Sequence, residues 1–156
     1  MGCGKIRLYL VQHGKSASKE EDPERPLTDE GTRDVKRISD LVIREIGIDP
    51  AVIYHSGKKR AKITAEIIAR DLNAGGKIAE GEGLDPLDPI IPWAGRIEKE
   101  DRNMMIVGHL PFLSRLASHL LIGLQEKPIV NFKMGCMICM ERDESEKWVL
   151  DWMIIP

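Results

Sequence analysis

The sequence predicts an α/β fold with a largely parallel sheet, and three observations carry that prediction. Short apolar runs alternate with amphipathic segments in the order strand, helix, strand, helix, irregular stretch, strand, helix, strand, strand. With 156 residues, 42% of them apolar, we expect residues 1–156 to form a single domain whose core needs neither disulfides nor a structural metal. Three of the four histidines terminate predicted strands, as side chains delivered to the carboxyl edge of a parallel sheet do.

The first strand is the bulky apolar run Ile6 to Val11, and a polar loop, Lys15 to Pro26, follows it. Thr28 reads as a helix N-cap, with Asp29 and Glu30 in the first turn where they complement the macrodipole. Val35, Ile38, Val42 and Ile46 fall at helical spacing, and Gly47 with Asp49-Pro50 ends that helix. A strand over Ala51 to Tyr54 precedes a helix over residues 58 to 72, with Gly75-Gly76 beyond it. Residues 73 to 102 are rich in Gly, Pro and Asp, and we expect there only a short helix around Trp93 to Asp101. Met104 to Val107 reads as a strand, and Pro111 to Leu121 as a helix with proline in its first turn. Two β-like runs, Cys136 to Met140 and Trp148 to Ile155, flank a charged turn, Glu141 to Lys147, and predict an antiparallel hairpin.

Composition narrows the function. Charged residues make up 31% of the chain and no apolar stretch of about 18 residues occurs, so no membrane span is expected. Twenty-three Lys and Arg against 25 Asp and Glu give a net charge of −2, which argues against a nucleic-acid partner. Three cysteines cannot all pair and no signal peptide precedes the first apolar run, so the expected compartment is the reducing cytoplasm.

The chemistry is expected where strands end: at His13, at His55 and at His109. His119 lies mid-helix and reads as a solvated surface residue. After His55 comes Ser56-Gly57-Lys58-Lys59-Arg60, a helix N-terminus loaded with cations that oppose the macrodipole. A bound phosphate would use those cations and the free N–H groups of the first turn. Two histidines, an arginine and a helix N-terminus on one sheet edge suit phosphoryl transfer through a histidine nucleophile.

Four segments carry a resemblance. Gln12-His13-Gly14-Lys15-Ser16 resembles the Arg-His-Gly/Ala signature of the histidine phosphatase (phosphoglycerate mutase-like) superfamily. Arg25-Pro26-Leu27-Thr28-Asp29-Glu30-Gly31 is similar to the RPLTxxG segment of its small SixA-type phosphohistidine phosphatases. Tyr54 to Glu66 is similar to the family's SSPxxRAxQTAE, and Val107-Gly108-His109-Leu110-Pro111 resembles its second-histidine motif. The resemblance implies a three-layer α/β/α sandwich with a mostly parallel, mixed sheet. It also implies a metal-independent, cofactor-free phosphohydrolase in which His13 becomes phosphorylated, His109 and Arg60 bind the phosphoryl oxygens, and Gln12 and Ser16 add substrate contacts. The implied substrate is a phosphohistidine on another protein. Gly83 falls where the family's mutases place a proton-donating acid, which leaves Glu82 or Asp85 as the carboxylates nearest that position.

The sequence also departs from the pattern. Gln12 stands for the signature arginine, His55 for a small serine, Gly57 for proline and Ile63 for glutamine. Losing a charge-assisted hydrogen bond of about 1.5–3 kcal/mol would slow turnover roughly 10- to 150-fold. A second reading is therefore a degenerate phosphate- or phosphopeptide-binding module without turnover. A third makes His13, His55 and His109 a zinc site. Cys136-Met137-Ile138-Cys139 is not expected to hold a metal, because residues three apart on a strand face opposite ways. Met134, Met137 and Met140 read as core, and Met1-Gly2-Cys3-Gly4 lacks the Ser or Thr of a myristoylation signal.

Overall fold

In the computed structural model, which describes residues 4–73 and 77–156, the chain runs β1 (Ile6–Gln12), α1 (Asp29–Leu41), β2 (Val52–His55), α2 (Lys59–Asp71), β3 (Ile78–Glu80), α3 (Ile91–Lys99), β4 (Met104–Gly108), α4 (Phe112–Ile122), β5 (Met137–Arg142) and β6 (Trp148–Ile154). Gly2, Cys3 and the Gly75-Gly76 pair expected beyond α2 lie outside the described residues.

All six strands form one mixed sheet in the order β3-β2-β4-β1-β5-β6. β1, β2, β3 and β4 run parallel, β5 is antiparallel to β1, and β6 is antiparallel to β5. The register aligns Gln12 with Gly108 and His55 with Val107, so β1, β4 and β2 end at one level. His13 and His109 follow immediately after two of those ends.

Side-chain alternation divides the core into two layers. Leu8, Leu10, Met104 and Ile106 pack against Trp93 and Ile97 of α3 and Phe112, Leu113 and Leu116 of α4. Tyr9, Val11, Ile53, Met105 and Val107 pack against Val35 and Ile38 of α1 and Ala61, Ala65 and Ile68 of α2. This is the three-layer sandwich the resemblance implied. Full burial of each such Val, Leu, Ile or Phe is worth about 1.5–3 kcal/mol. Arg142 of β5 ties the layers at a helix end: it donates to the carbonyls of Glu98 (2.6 Å) and Glu100 (2.7 Å), the otherwise unpaired acceptors where α3 stops.

Thr28 caps α1 as expected, its Oγ1 accepting the N–H of Gly31 at 3.0 Å. The helix then loosens into a π-helical turn over Val42–Ile46 and ends at Gly47. Four expectations need correcting. Ile78–Glu80 forms an edge strand inside the stretch expected to hold only a helix, and that helix starts earlier, at Ile91. Glu141 and Arg142 belong to β5, because their partners Lys5, Arg7 and the α3 carbonyls lie beside the strand. Met134 is 46% exposed, since Gly135 turns the chain before the strand begins. His119 is half-buried on α4. Cys136 and Cys139, both free, are buried in opposite core layers, as alternation requires. Among the described residues no helix is long and apolar enough to cross a membrane.

Candidate active site

The turn after β1 is clamped between two helices. Gly14 receives support from α2, its N–H donating to Thr64 Oγ1 (3.1 Å), and that hydroxyl donates in turn to the Arg60 carbonyl (2.8 Å). From the other side α1 presses its first turn onto Lys15. A Cβ at Gly31 would lie 2.1 Å from the Lys15 carbonyl oxygen, so only glycine admits this approach. The N–H of His13 donates to the Gly108 carbonyl (3.1 Å), and the carbonyls of Gln12 and His13 both accept from Gly135 (3.0 Å each). His13 therefore stands on a backbone fixed from four directions.

Its ring is fixed as well. Nδ1 lies 2.7 Å from the carbonyl oxygen of Gly14, which can only accept, so Nδ1 carries the proton and Nε2 is left as a free lone pair. Burial, reinforced by Arg60 and Arg25, pushes His13 down to about 4. The ring is neutral at physiological pH. His109 lies beside it, ring centroids 5.1 Å apart. Burial lowers His109 to about 3, with His13, Arg60, Lys58 and Arg25 acting in the same direction. Its Nε2 meets Ser56 Oγ at 2.6 Å, and its Nδ1 is buried without a partner.

Two guanidiniums flank the pair. Arg60, in the first turn of α2, makes no side-chain hydrogen bond among the described residues, and its Nε is buried and unpartnered. Arg25 reaches in from the β1–α1 loop, held by bonds from Nε to the Ala17 carbonyl (3.1 Å) and from Nη2 to Ser16 Oγ (3.3 Å). Among the described residues neither arginine pairs with a carboxylate. Two unneutralised cations, one with a buried and unpartnered Nε–H, beside a buried and unpartnered histidine nitrogen form a receptacle for an anion. The arginines open onto a cavity of about 590 Å³ rimmed by Lys19, Lys58, Lys59, Asp85 and Leu87.

Of the residues singled out from sequence, His13, His109, Arg60 and Ser16 converge here. Ser16 does so through Arg25, since its hydroxyl accepts that guanidinium. Gln12 is buried at the end of β1, and its Oε1 lacks a partner. His55 does not join the group: its Nδ1 accepts the N–H of Gly57 at 3.0 Å, and Glu80 is the carboxylate nearest in influence. Among the described residues no three His, Cys, Asp or Glu side chains gather as they would around a metal ion. Asp85 lines the cavity 3.8 Å from Lys58, whereas Glu82 points its carbonyl at Trp93 Nε1 (2.8 Å) and is exposed. Sequence reasoning missed Arg25 and Ser56 as site residues. Arg25 opens the segment that carried the resemblance, and that was the available signal.

Residues 8–96 match the histidine phosphatase superfamily (branch 1). The chain belongs to this family. It is a phosphatase of that superfamily. No curated protein sequence matches it. Among solved structures it is similar to the protein histidine phosphatase SixA complexed with tungstate, at 19% identity over 97% of each chain and a TM-score of 0.84. It is also similar to a SixA protein of Agrobacterium tumefaciens described as a phosphohistidine phosphatase (22% identity, 97% of this chain and 98% of that one, TM-score 0.75). The α-ribazole phosphatase of Shigella flexneri is more distant (16% identity, 94% and 95%, TM-score 0.69). At these identities the likeness shows the shared fold, that of the phosphoglycerate mutase-like histidine phosphatases.

Proposed function

We propose that this phosphatase works through a phosphohistidine intermediate on His13, with protein-borne phosphohistidine as its substrate. The observation that carries the reading is the neutral His13 ring, its Nε2 free, under the charge of Arg60 and Arg25, neither of which has a carboxylate partner among the described residues. In the first step the Nε2 lone pair attacks phosphorus, the substrate's N–P bond breaks, and the substrate imidazole leaves with the bonding electrons. Nδ1 keeps its proton on the Gly14 carbonyl, so the charge forming on the His13 ring is met by a fixed acceptor. Arg25, Arg60 and His109 hold the equatorial oxygens as charge spreads over them. Water then attacks phosphorus on the opposite side, the P–Nε2 bond breaks, inorganic phosphate leaves, and the water's proton goes to the released phosphate. A solved relative of the same fold holds tungstate, a tetrahedral oxyanion like phosphate.

Two features favour phosphohistidine over an alkyl phosphate. Gly83 puts no carboxyl group at the acid position, and a phosphohistidine whose second ring nitrogen is already protonated releases neutral imidazole without such a donor. The cavity beyond the arginines is open, which admits a residue displayed on a protein surface. The two buried cysteines remain unpaired, in keeping with an enzyme of the cytoplasm. A binding module without turnover would use the same cations but would have no use for an unprotonated histidine nitrogen beside them. The test is a comparison of kcat/KM for a phosphohistidine-bearing protein and for an alkyl phosphate. The expected ratio favours phosphohistidine by about 100-fold or more, the contribution of one general acid. Equal or reversed preference contradicts the substrate assignment.

A further inference from the structure

The short loop between β2 and α2 brings Ser56 against His109. His109 is 2% exposed, and its two nitrogens differ: Nε2 is 2.6 Å from Ser56 Oγ, while Nδ1 is buried with no partner. A serine hydroxyl has one proton to give. Ser56 Oγ already accepts the backbone N–H of Lys58 at 3.3 Å, which fixes one lone pair and leaves the O–H free to turn toward His109. If Ser56 donates to Nε2, the neutral ring carries its proton on Nδ1. In the opposite arrangement Nδ1 would be a buried lone pair beside an anion site, repelling the group the arginines attract.

We propose that Ser56 is a positioning residue that holds His109 as the Nδ1–H tautomer, making it a neutral hydrogen-bond donor to a phosphoryl oxygen. The inference rests on the reading of His109 as a phosphoryl ligand. A neutral donor suits this place, because Arg25, Arg60 and Lys58 already oppose a third positive charge there, and burial opposes it further. The two histidines then divide the work. His13 is tied through Nδ1 and presents a lone pair; His109 is tied through Nε2 and presents a proton.

The loop is built to hold Ser56 still. Gly57 sits at φ 89°, a conformation closed to proline, and its N–H donates to His55 Nδ1 at 3.0 Å. The two departures from the resembled motif, His55 for serine and Gly57 for proline, are thus one device. Replacing proline by glycine creates an N–H, and His55 supplies its acceptor. The constraint that a proline ring would impose on the loop is replaced by one hydrogen bond that bridges the residues on either side of Ser56.

The experiment is 15N NMR of the histidine rings in the full chain, with His109 assigned by the signal lost in His109→Gln. The expected wild-type spectrum shows a protonated, pyrrole-type Nδ1 and a pyridine-type Nε2, and inorganic phosphate shifts the Nδ1–H signal. Ser56→Ala should move the ring toward the other tautomer and lower kcat/KM by about 100-fold, the loss of one oxyanion donor. Ser56→Thr, which keeps the hydroxyl, should restore both and controls for folding. A wild-type ring protonated on Nε2, an unchanged tautomer in Ser56→Ala, or an Nδ1–H signal indifferent to phosphate would overturn the proposal. Failure of phosphate labelling on His13 with the expected tautomer present would instead overturn the intermediate and leave this assignment standing.

Discussion

The floor and the rim of the site are built on opposite terms. The floor, where β1 and β4 end, is dry, and its two histidines are neutral and each tied through one nitrogen to a fixed partner, Gly14 or Ser56. The rim is open to solvent: Lys58, Lys59, Lys19, Asp85 and Leu87 surround an open cavity, and its ion pairs, Lys59–Glu24 at 2.7 Å and Lys58–Asp85 at 3.8 Å, are exposed. Floor and rim therefore act on different steps. Groups that meet developing charge are preorganised in a low-dielectric floor, where each is worth far more than in water. Groups on the rim are screened and change encounter with the substrate rather than its chemistry.

Replacing Arg60 by Ala removes the half-buried, unneutralised cation that stands over the floor, and kcat should fall by about 100- to 1000-fold. Gln12→Arg runs the other way: supplying the guanidinium whose place Gln12 takes should raise kcat/KM by roughly 10- to 150-fold. A fall in activity would mean that the buried amide, with its unpartnered Oε1, is itself adapted to this site.

The floor also sets the response to acid. His13 and His109 are held at about 4 and about 3 when folded, below the ordinary 6.5 they regain on unfolding. The unfolded chain therefore takes up protons first as pH falls. The stability these rings contribute is complete above pH 6.5 and is lost progressively down to about 4 for His13 and about 3 for His109. Denaturant midpoints should fall across that window, and His109→Gln should fall less than wild type. The acid limb of kcat/KM should lie near 4, where His13 Nε2 becomes protonated. The smallest effect belongs to the rim: Lys59→Ala should raise KM for a protein substrate a few-fold and leave kcat unchanged. A loss in kcat comparable with that of Arg60→Ala would erase the distinction between floor and rim.

Much of the floor was legible because strand ends announce themselves. Bulky runs closing in Gln12-His13, His55 and Gly108-His109, with Thr28 opening the next helix, fixed the sheet edge and two of its histidines. What stayed hidden depends on closure in three dimensions. Arg25 reaches the pocket only because the Ser16–Leu27 bridge folds its loop back and the residue adopts a positive φ of 52°. Ser56 gains a role only once it is known which histidine nitrogen it meets. His55 looked like a third member of the cluster, but its partner is its own loop. β3 has only three residues and lies at the sheet edge beside β2, so the sequence offered too little alternation to read.

One atom, Nε2 of His13, decides the mechanism. Rapid-quench labelling with a 32P-phosphorylated substrate tests it directly. Acid-labile, alkali-stable label is expected on the peptide containing His13, present during turnover, lost on chase with unlabelled substrate, and absent in an inactive His13→Ala variant. Full turnover with no label on that peptide, or a labelled and active His13→Ala variant, would contradict it.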